Sequence, residues 1–466
     1  PARTNKKITI KIHLKFELKI NLKFGLKADL KSTIRRTMET VDDPFLRHLF
    51  DGDTTINPYN EKAANLSIGA PGPDLLKNCS KMMMRATRHR MEEEEKEGKY
   101  YLFQYGITAG LWECRDELQK FLTRRYGDPV AREQLILTCG ATHGLQLLLT
   151  SVLAPNGIIF VEEVTYMIAL DAFKQFPLMK IVTVPMREGL VDLDGLEAIV
   201  KEAKNDSYLL NDEKIFWAMF YTIPTFHNPT GMTLPAESCE RLVKIARDNR
   251  IAVVCDDVYN LLHYGPGLGP RRLFSYDDPS DPDYSGGNVI SNGSFSKILS
   301  PAIRLGWLEC GPRVANILRL SGIMKSGGAV NHYVSGVIAS LLHLRMEDEY
   351  IDLLIKTYGE RMEVVCEVLD RFLPNCCSYR KPEGGYFVWI HLPTGCDGGK
   401  FVRWCQEELG VTALPGARFS NTGESKNYLR LSIAFHRTEV LRAAVETLCK
   451  GLLRTPFFRK ILGKAF

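Results

Sequence analysis

Lys297 closes the run Ser294-Phe295-Ser296-Lys297, and Arg304 follows it by seven residues. A lysine flanked by hydroxyls can form a covalent bond to an aldehyde cofactor, and a nearby arginine can bind that cofactor's phosphate. The combination points to pyridoxal 5'-phosphate, a cofactor held through a lysine. Most lysines are solvated surface residues, so the weight of this reading falls on the company Lys297 keeps.

Upstream, Ile251-Ala-Val-Val-Cys-Asp256-Asp-Val-Tyr259 is a short apolar run ending in a carboxylate, as a buried parallel strand would be. An acid at such a strand end faces the crevice where open α/β sheets bind ligands. Asp256 is therefore the candidate anion for a pyridine nitrogen, with helix N-capping as its ordinary alternative. Tyr259 could reach the cofactor's phenolic oxygen. Further back, Asn228-Pro229-Thr230-Gly231 follows the apolar run 215–220 and places an amide in a proline turn.

The phosphate needs more than Arg304. Leu135 to Leu149 reads as a strand, a glycine turn at Gly140 and an apolar-periodic helix. The amides of Ala141 and Thr142 would then lie at a helix N-terminus, where unpaired N–H groups and the helix dipole favour an anion. The next apolar run, from Ile158, ends at Tyr166, an aromatic able to stack on a pyridine ring. His143, within the same turn, reads as a structural histidine. Ser294-x-x-Lys297 also matches the Ser-x-x-Lys element of serine β-lactamases and penicillin-binding proteins. Their Ser-Asp-Asn and Lys-Thr-Gly elements occur nowhere in the chain.

From about Asn65 to Lys450 the chain resembles the fold-type I, class I/II aminotransferases, and most closely the aminoadipate, kynurenine and aromatic amino-acid branch. The motifs recur in the family's order: Gln104-Tyr105-Gly106-x-x-x-Gly110, Gly140-Ala141-Thr142, Glu163-x-x-Tyr166, Asn228-Pro229-Thr230-Gly231, Asp256-x-x-Tyr259, Ser294-x-Ser296-Lys297, Arg304-x-Gly306-Trp307 and Tyr428-Leu-Arg430-Leu. The resemblance implies that Lys297 is the Schiff-base lysine and proton shuttle, and that Asp256 pairs with the pyridine nitrogen. Asn228 and Tyr259 would contact the phenolic oxygen, and Tyr166 would stack on the ring. The phosphate would fall to the Ala141 and Thr142 amides, Ser294, Ser296 and Arg304, with Tyr105 reaching in from a second subunit. Arg430 would clamp the substrate α-carboxylate, beside Asn228 and a loop at Gly69. Mid-strand in an apolar run, Arg430 has a salt bridge to a neighbouring acid as its structural alternative.

The activity implied is ping-pong transamination between an L-amino acid and 2-oxoglutarate, with 2-aminoadipate, aromatic amino acids or kynurenine as donors. A β-lyase of the cysteine-conjugate type is the alternative on the same fold. A non-enzymatic regulatory protein is the other, but it would need a DNA-binding domain that a 36-residue extension cannot supply. The partners expected are small amino and oxo acids and a second copy of the chain.

These residues need a scaffold. The expected class is α/β, with a mainly parallel sheet between helices plus a smaller α/β domain. The boundaries read as a basic extension over 1–36, an N-terminal segment over 37–104, a large cofactor-binding domain over 105–329 and a small C-terminal domain over 330–466. The long charged helix before residue 100 carries the run Glu92 to Glu95, which reads as a solvated face.

Composition agrees. A chain of 466 residues, 45% hydrophobic, can bury large cores, and no run reaches the roughly 18 apolar residues of a membrane span. Twelve cysteines include no Cys-x-x-Cys pair, so neither zinc site nor disulfide framework is indicated. No metal is expected. Residues 1–36 hold eleven basic and two acidic residues, a balance of +9, which leaves −4 for the rest of a chain whose net charge is +5. No basic face implying nucleic acid remains. In that extension every even position from Ile8 to Leu26 is apolar, a strand-like period rather than a transit helix. A cytoplasmic location is accordingly expected ahead of a mitochondrial one, and the extension is expected to be poorly ordered.

Overall fold

The computed structural model describes residues 63–205, 214–328 and 330–455. The basic extension over 1–36, and the expectation of poor order attached to it, lie outside the described residues.

Seven strands form the larger sheet: β1 (Leu135–Thr138), β2 (Leu153–Glu162), β3 (Lys180–Val184), β4 (Phe216–Thr222), β5 (Ala252–Asp256), β6 (Val289–Ser294) and β7 (Gly306–Cys310). Their spatial order is β1-β7-β6-β5-β4-β2-β3. The pairs from β6 through β5, β4 and β2 to β3 are parallel, and β7 runs antiparallel to both of its neighbours. All seven residues of β4 are buried. They alternate between two cores: Met219 and Tyr221 join one, Ala218 and Phe220 the other. A strand covered on both faces has no polar side to show, which is why these segments read as continuous apolar runs.

The smaller sheet contains β8 (Ser378–Tyr379), β9 (Phe387–His391), β10 (Leu414–Pro415) and β11 (Tyr428–Ser432), in the order β8-β9-β11-β10 and antiparallel throughout. Arg430 sits opposite Trp389 on one side and Leu414 on the other. Two long helices, Met346–Phe372 and Thr438–Leu452, pack together beside this unit. Near the start of the described chain, Ala64–Asn65 pairs in parallel with Val411–Thr412.

The charged helix is Pro73–Glu97, with Gly98 in the left-handed conformation as its C-cap. Its acidic run does not face solvent as a whole. Glu94 turns inward, pairs with Arg90 one turn back and accepts the Leu102 N–H at 3.3 Å. That contact ties the helix end to the segment following it, and a buried acid without such partners would be costly.

Candidate active site

Parallel strands deliver their carboxyl ends to one edge of a sheet, and β7, running the other way, delivers its start to that same edge. Gly306 at the start of β7 lies opposite both Ser294 and Thr138, the last residues of β6 and β1. Asp256 ends β5 in register with Asn292 of β6. Residues from four strands therefore meet at one edge of the sheet.

Asp256 is buried. Its Oδ2 accepts a hydrogen bond from Tyr221 Oη at 2.7 Å, while Oδ1 has no partner. Burial raises its pKa to about 6 from the usual carboxylate value, the Tyr221 bond and Lys297 acting against that rise and Asp257 adding to it. An orphaned acceptor in a dry site is a place for a donor that is absent from the protein itself.

Lys297 lies on the loop after β6, where Nζ donates to Gly69 O at 2.7 Å. Tyr386 closes over it, its ring 5.9 Å from Nζ and its hydroxyl donating to Lys297 O at 2.9 Å. Burial, then the positive charge of Arg430, lower the lysine pKa to about 8, against the pull of Asp256. In the same turn Ser296 N–H donates to Ser294 Oγ at 3.1 Å, and the two hydroxyls are 3.0 Å apart. Arg304 reaches back over this turn. Its guanidinium donates to Pro301 O at 3.1 Å and comes within 3.5 Å of Ser296 Oγ and Cys139 O.

Opposite Arg304, Gly140 takes φ 85° and ψ 173°, and Ala141 and Thr142 open the helix Ala141–Ser151. A Cβ at Gly140 would stand 3.1 Å from Arg304 Nη2, so the glycine is what allows the close approach. His143 turns into its own loop, with Nδ1 accepting the Cys139 N–H at 3.2 Å. Its expected structural role fits that contact.

Arg430 approaches from the smaller sheet. It is 2% exposed, donates from Nη1 to Asn228 Oδ1 at 2.9 Å and from Nη2 to Ser67 O at 2.5 Å, and lies 4.0 Å above the Phe387 ring and 5.0 Å from Phe419. Nε is unpartnered. Among the described residues no carboxylate pairs with it, so the salt bridge weighed as its alternative is not formed. Burial lowers its pKa to about 10, which still leaves it charged at neutral pH.

Tyr259 is buried edge-on to Tyr386 at 5.4 Å and Phe387 at 5.6 Å. Tyr166 precedes the helix Met167–Phe173 and has its hydroxyl pushed up to about 12, chiefly by burial. Tyr105 stands apart, 83% exposed and packed over Gly327. Within one chain it is outside the cluster.

Three features escape a local reading of the sequence. Tyr221 bonds Asp256 across 35 residues. Glu162, at the end of β2, accepts from Thr222 Oγ1 at 2.9 Å and pairs with His227 Nε2 at 2.9 Å, which braces the turn carrying Asn228. Phe387 and Phe419 bracket Arg430. The apolar runs signal burial of Tyr221 and Glu162, but not the partner of either.

Residues 62–448 match the aminotransferase class I and II family. The chain belongs to that family. This class I/II aminotransferase is 30% identical over 350 residues to the aromatic-amino-acid aminotransferase 1 of Thermococcus litoralis, covering 75% of the chain and 79% of the relative. It is 29% identical over 394 residues to the 2-aminoadipate transaminase of Thermus thermophilus, covering 83% and 89%. Among solved structures, the Pyrococcus horikoshii kynurenine aminotransferase, in complex with PMP, superposes with a TM-score of 0.73 at 26% identity, covering 90% of this chain and 98% of that one. Class I/II aminotransferases depend on pyridoxal 5'-phosphate. The free Asp256 Oδ1, the lowered Lys297 amine and the cradle between Gly140 and Arg304 suit such a group.

Proposed function

We propose that this aminotransferase exchanges the amino group of a 2-aminoadipate, aromatic or kynurenine-like L-amino acid with 2-oxoglutarate in a ping-pong cycle. The observation that carries the reading is Arg430: a guanidinium buried among aromatic rings, charged, and with no carboxylate paired to it among the described residues. Burying an unpaired cation is costly, and a substrate carboxylate would relieve that cost through a two-pronged ion pair.

In this reading Lys297 would hold the cofactor covalently, Asp256 Oδ1 would accept from its ring nitrogen, Asn228 and Tyr259 would bind its phenolic oxygen, and Tyr166 would stack on the ring. The Ala141 and Thr142 amides, Ser294, Ser296 and Arg304 hold the phosphate, and Tyr105 of a second copy completes that pocket. The cofactor, once bound, supplies an electron sink for the charge left at the substrate Cα. Arg430 and Asn228 fix the α-carboxylate beside the Gly69 loop, so that the Cα–H bond points at Lys297. Lys297, once displaced by the incoming amino group, would take that proton as a general base, since burial and Arg430 lower its pKa to about 8 and leave a substantial neutral fraction near that pH. The preference for aminoadipate or aromatic donors draws its support from the relatives' activities.

Two measurements test this. Borohydride reduction of the holoenzyme followed by peptide mapping is expected to place the label on Lys297. A single-turnover screen of amino acids is expected to give the matching 2-oxo acid from aminoadipate or aromatic donors. Release of pyruvate, ammonia and cysteine persulfide from cystine, without amino-group transfer, would overturn the transaminase reading in favour of a β-lyase.

A further inference from the structure

We propose that Tyr221 is a positioning residue that keeps the ring-nitrogen proton of the bound cofactor on the ring rather than on Asp256. The proposal rests on the aminotransferase reading above and assigns a role to a contact that reading does not use. Tyr221 lies on β4, opposite Val254 of β5, and is fully buried. Its ring meets Phe173 edge-on at 5.3 Å, which limits its rotation. Its hydroxyl donates to Oδ2 of Asp256 at 2.7 Å and leaves Oδ1 free. The two carboxylate oxygens are thus divided, one for the phenol and one for a ligand donor.

The division has a direction. A phenol beside a carboxylate donates, and a hydrogen bond to the charged form favours that form. Burial and the adjoining Asp257 push Asp256 toward its neutral form, while Tyr221 and Lys297 oppose them. Tyr166, Tyr259 and Glu162 also face this pair, and each adds negative potential if ionised. A protonated pyridine and a buried carboxyl compete closely for one proton. A single charge-assisted bond, worth roughly 10- to 100-fold in such an equilibrium, then decides which group holds it. Losing the ring proton weakens the electron sink without moving the substrate carboxylate.

The test is Tyr221→Phe holoenzyme reconstituted with pyridoxal phosphate carrying ¹⁵N in the ring, read by ¹⁵N NMR across pH. The wild type is expected to give the shift of a protonated ring near neutral pH, and the variant a shift displaced toward the neutral ring. Cofactor affinity is expected to fall about tenfold, and kcat to fall with KM for the amino acid changed less than about twofold. An unchanged, fully protonated ring signal in the variant would overturn the proposal whatever happened to activity. If the phenylalanine variant does not fold or retain cofactor, 3-fluoro- and 3,5-difluorotyrosine at position 221 keep the shape and grade the donor strength. The ring signal is then expected to move with donor strength, and indifference to it would equally overturn the assignment. Borohydride labelling of the same wild-type preparation separates the two failures. Absence of label at Lys297 would sink the aminotransferase reading, whereas label with an unresponsive ring signal would sink only the role of Tyr221.

Discussion

Arg304 and Arg430 are the same residue type in opposite surroundings, and the difference predicts different phenotypes. Arg304 is exposed and reaches over the Gly140 turn, whereas Arg430 is buried between Phe387 and Phe419. Arg304→Ala is expected to weaken cofactor retention, measured by equilibrium dialysis, and to leave amino-acid affinity nearly unchanged once cofactor saturates. Arg430→Gln is expected to retain cofactor and to lower kcat/KM for carboxylate donors by about 2 to 5 kcal/mol, the range for breaking a buried charge pair. The second change also acts on Lys297. Because Arg430 is the largest charged contributor lowering that amine to about 8, removing it raises the lysine pKa. Amine-reactive labelling of Lys297 in the cofactor-free protein is expected to show a midpoint near 8 in the wild type and a higher one in Arg430→Gln. An unmoved midpoint would mean that burial alone sets it.

Among the elements, the turn between β1 and the helix Ala141–Ser151 is constrained by its backbone conformation and by Arg304. Gly140 has a backbone conformation almost confined to glycine, and a Cβ there would crowd Arg304. Gly140→Ala is expected to destabilise the protein by about 1 to 3 kcal/mol and to reduce cofactor affinity, seen as a lower Tm with a smaller upward shift on adding pyridoxal phosphate. A normal cofactor-induced shift would show that the turn does not contribute to anion binding. This element was legible in the sequence because strand, glycine and helix period lie within 17 consecutive residues, Leu135 to Ser151. Asp256 was legible for the same reason, as a strand-end acid. Tyr221 and the Glu162–His227 pair were not, since their partners lie 35 and 65 residues away. The inward turn of Glu94 was hidden too, because an acidic run gives no sign of which member meets Leu102.

At the scale of the whole molecule, one short stretch leading into the helix Trp112–Tyr126 carries several exposed apolar side chains. Tyr101, Phe103, Tyr105, Ile107 and Trp112 are each at least 49% exposed, and exposed apolar side chains clustered in a segment are candidates for an association face. A homodimer is the expected state, with Tyr105 entering the neighbour's phosphate pocket. Sedimentation is expected to give twice the chain mass. Tyr105→Phe, once shown to be strongly impaired, is expected to regain activity in hybrids with Lys297→Ala, since one site of each hybrid then carries neither lesion. Proven hybrids without recovery would place the whole site within one chain.

The separation of the two sheets along the chain also has a consequence for biosynthesis. A ribosome that has delivered residues up to Cys310 has delivered every strand of the larger sheet, with Lys297, Asp256 and Arg304 among them, while Arg430 on β11 is still unmade. The reactive amine is therefore translated more than a hundred codons ahead of the guanidinium. On the proposed assignment, the residues expected to hold the cofactor's ring and aldehyde are made before the one expected to hold the amino acid.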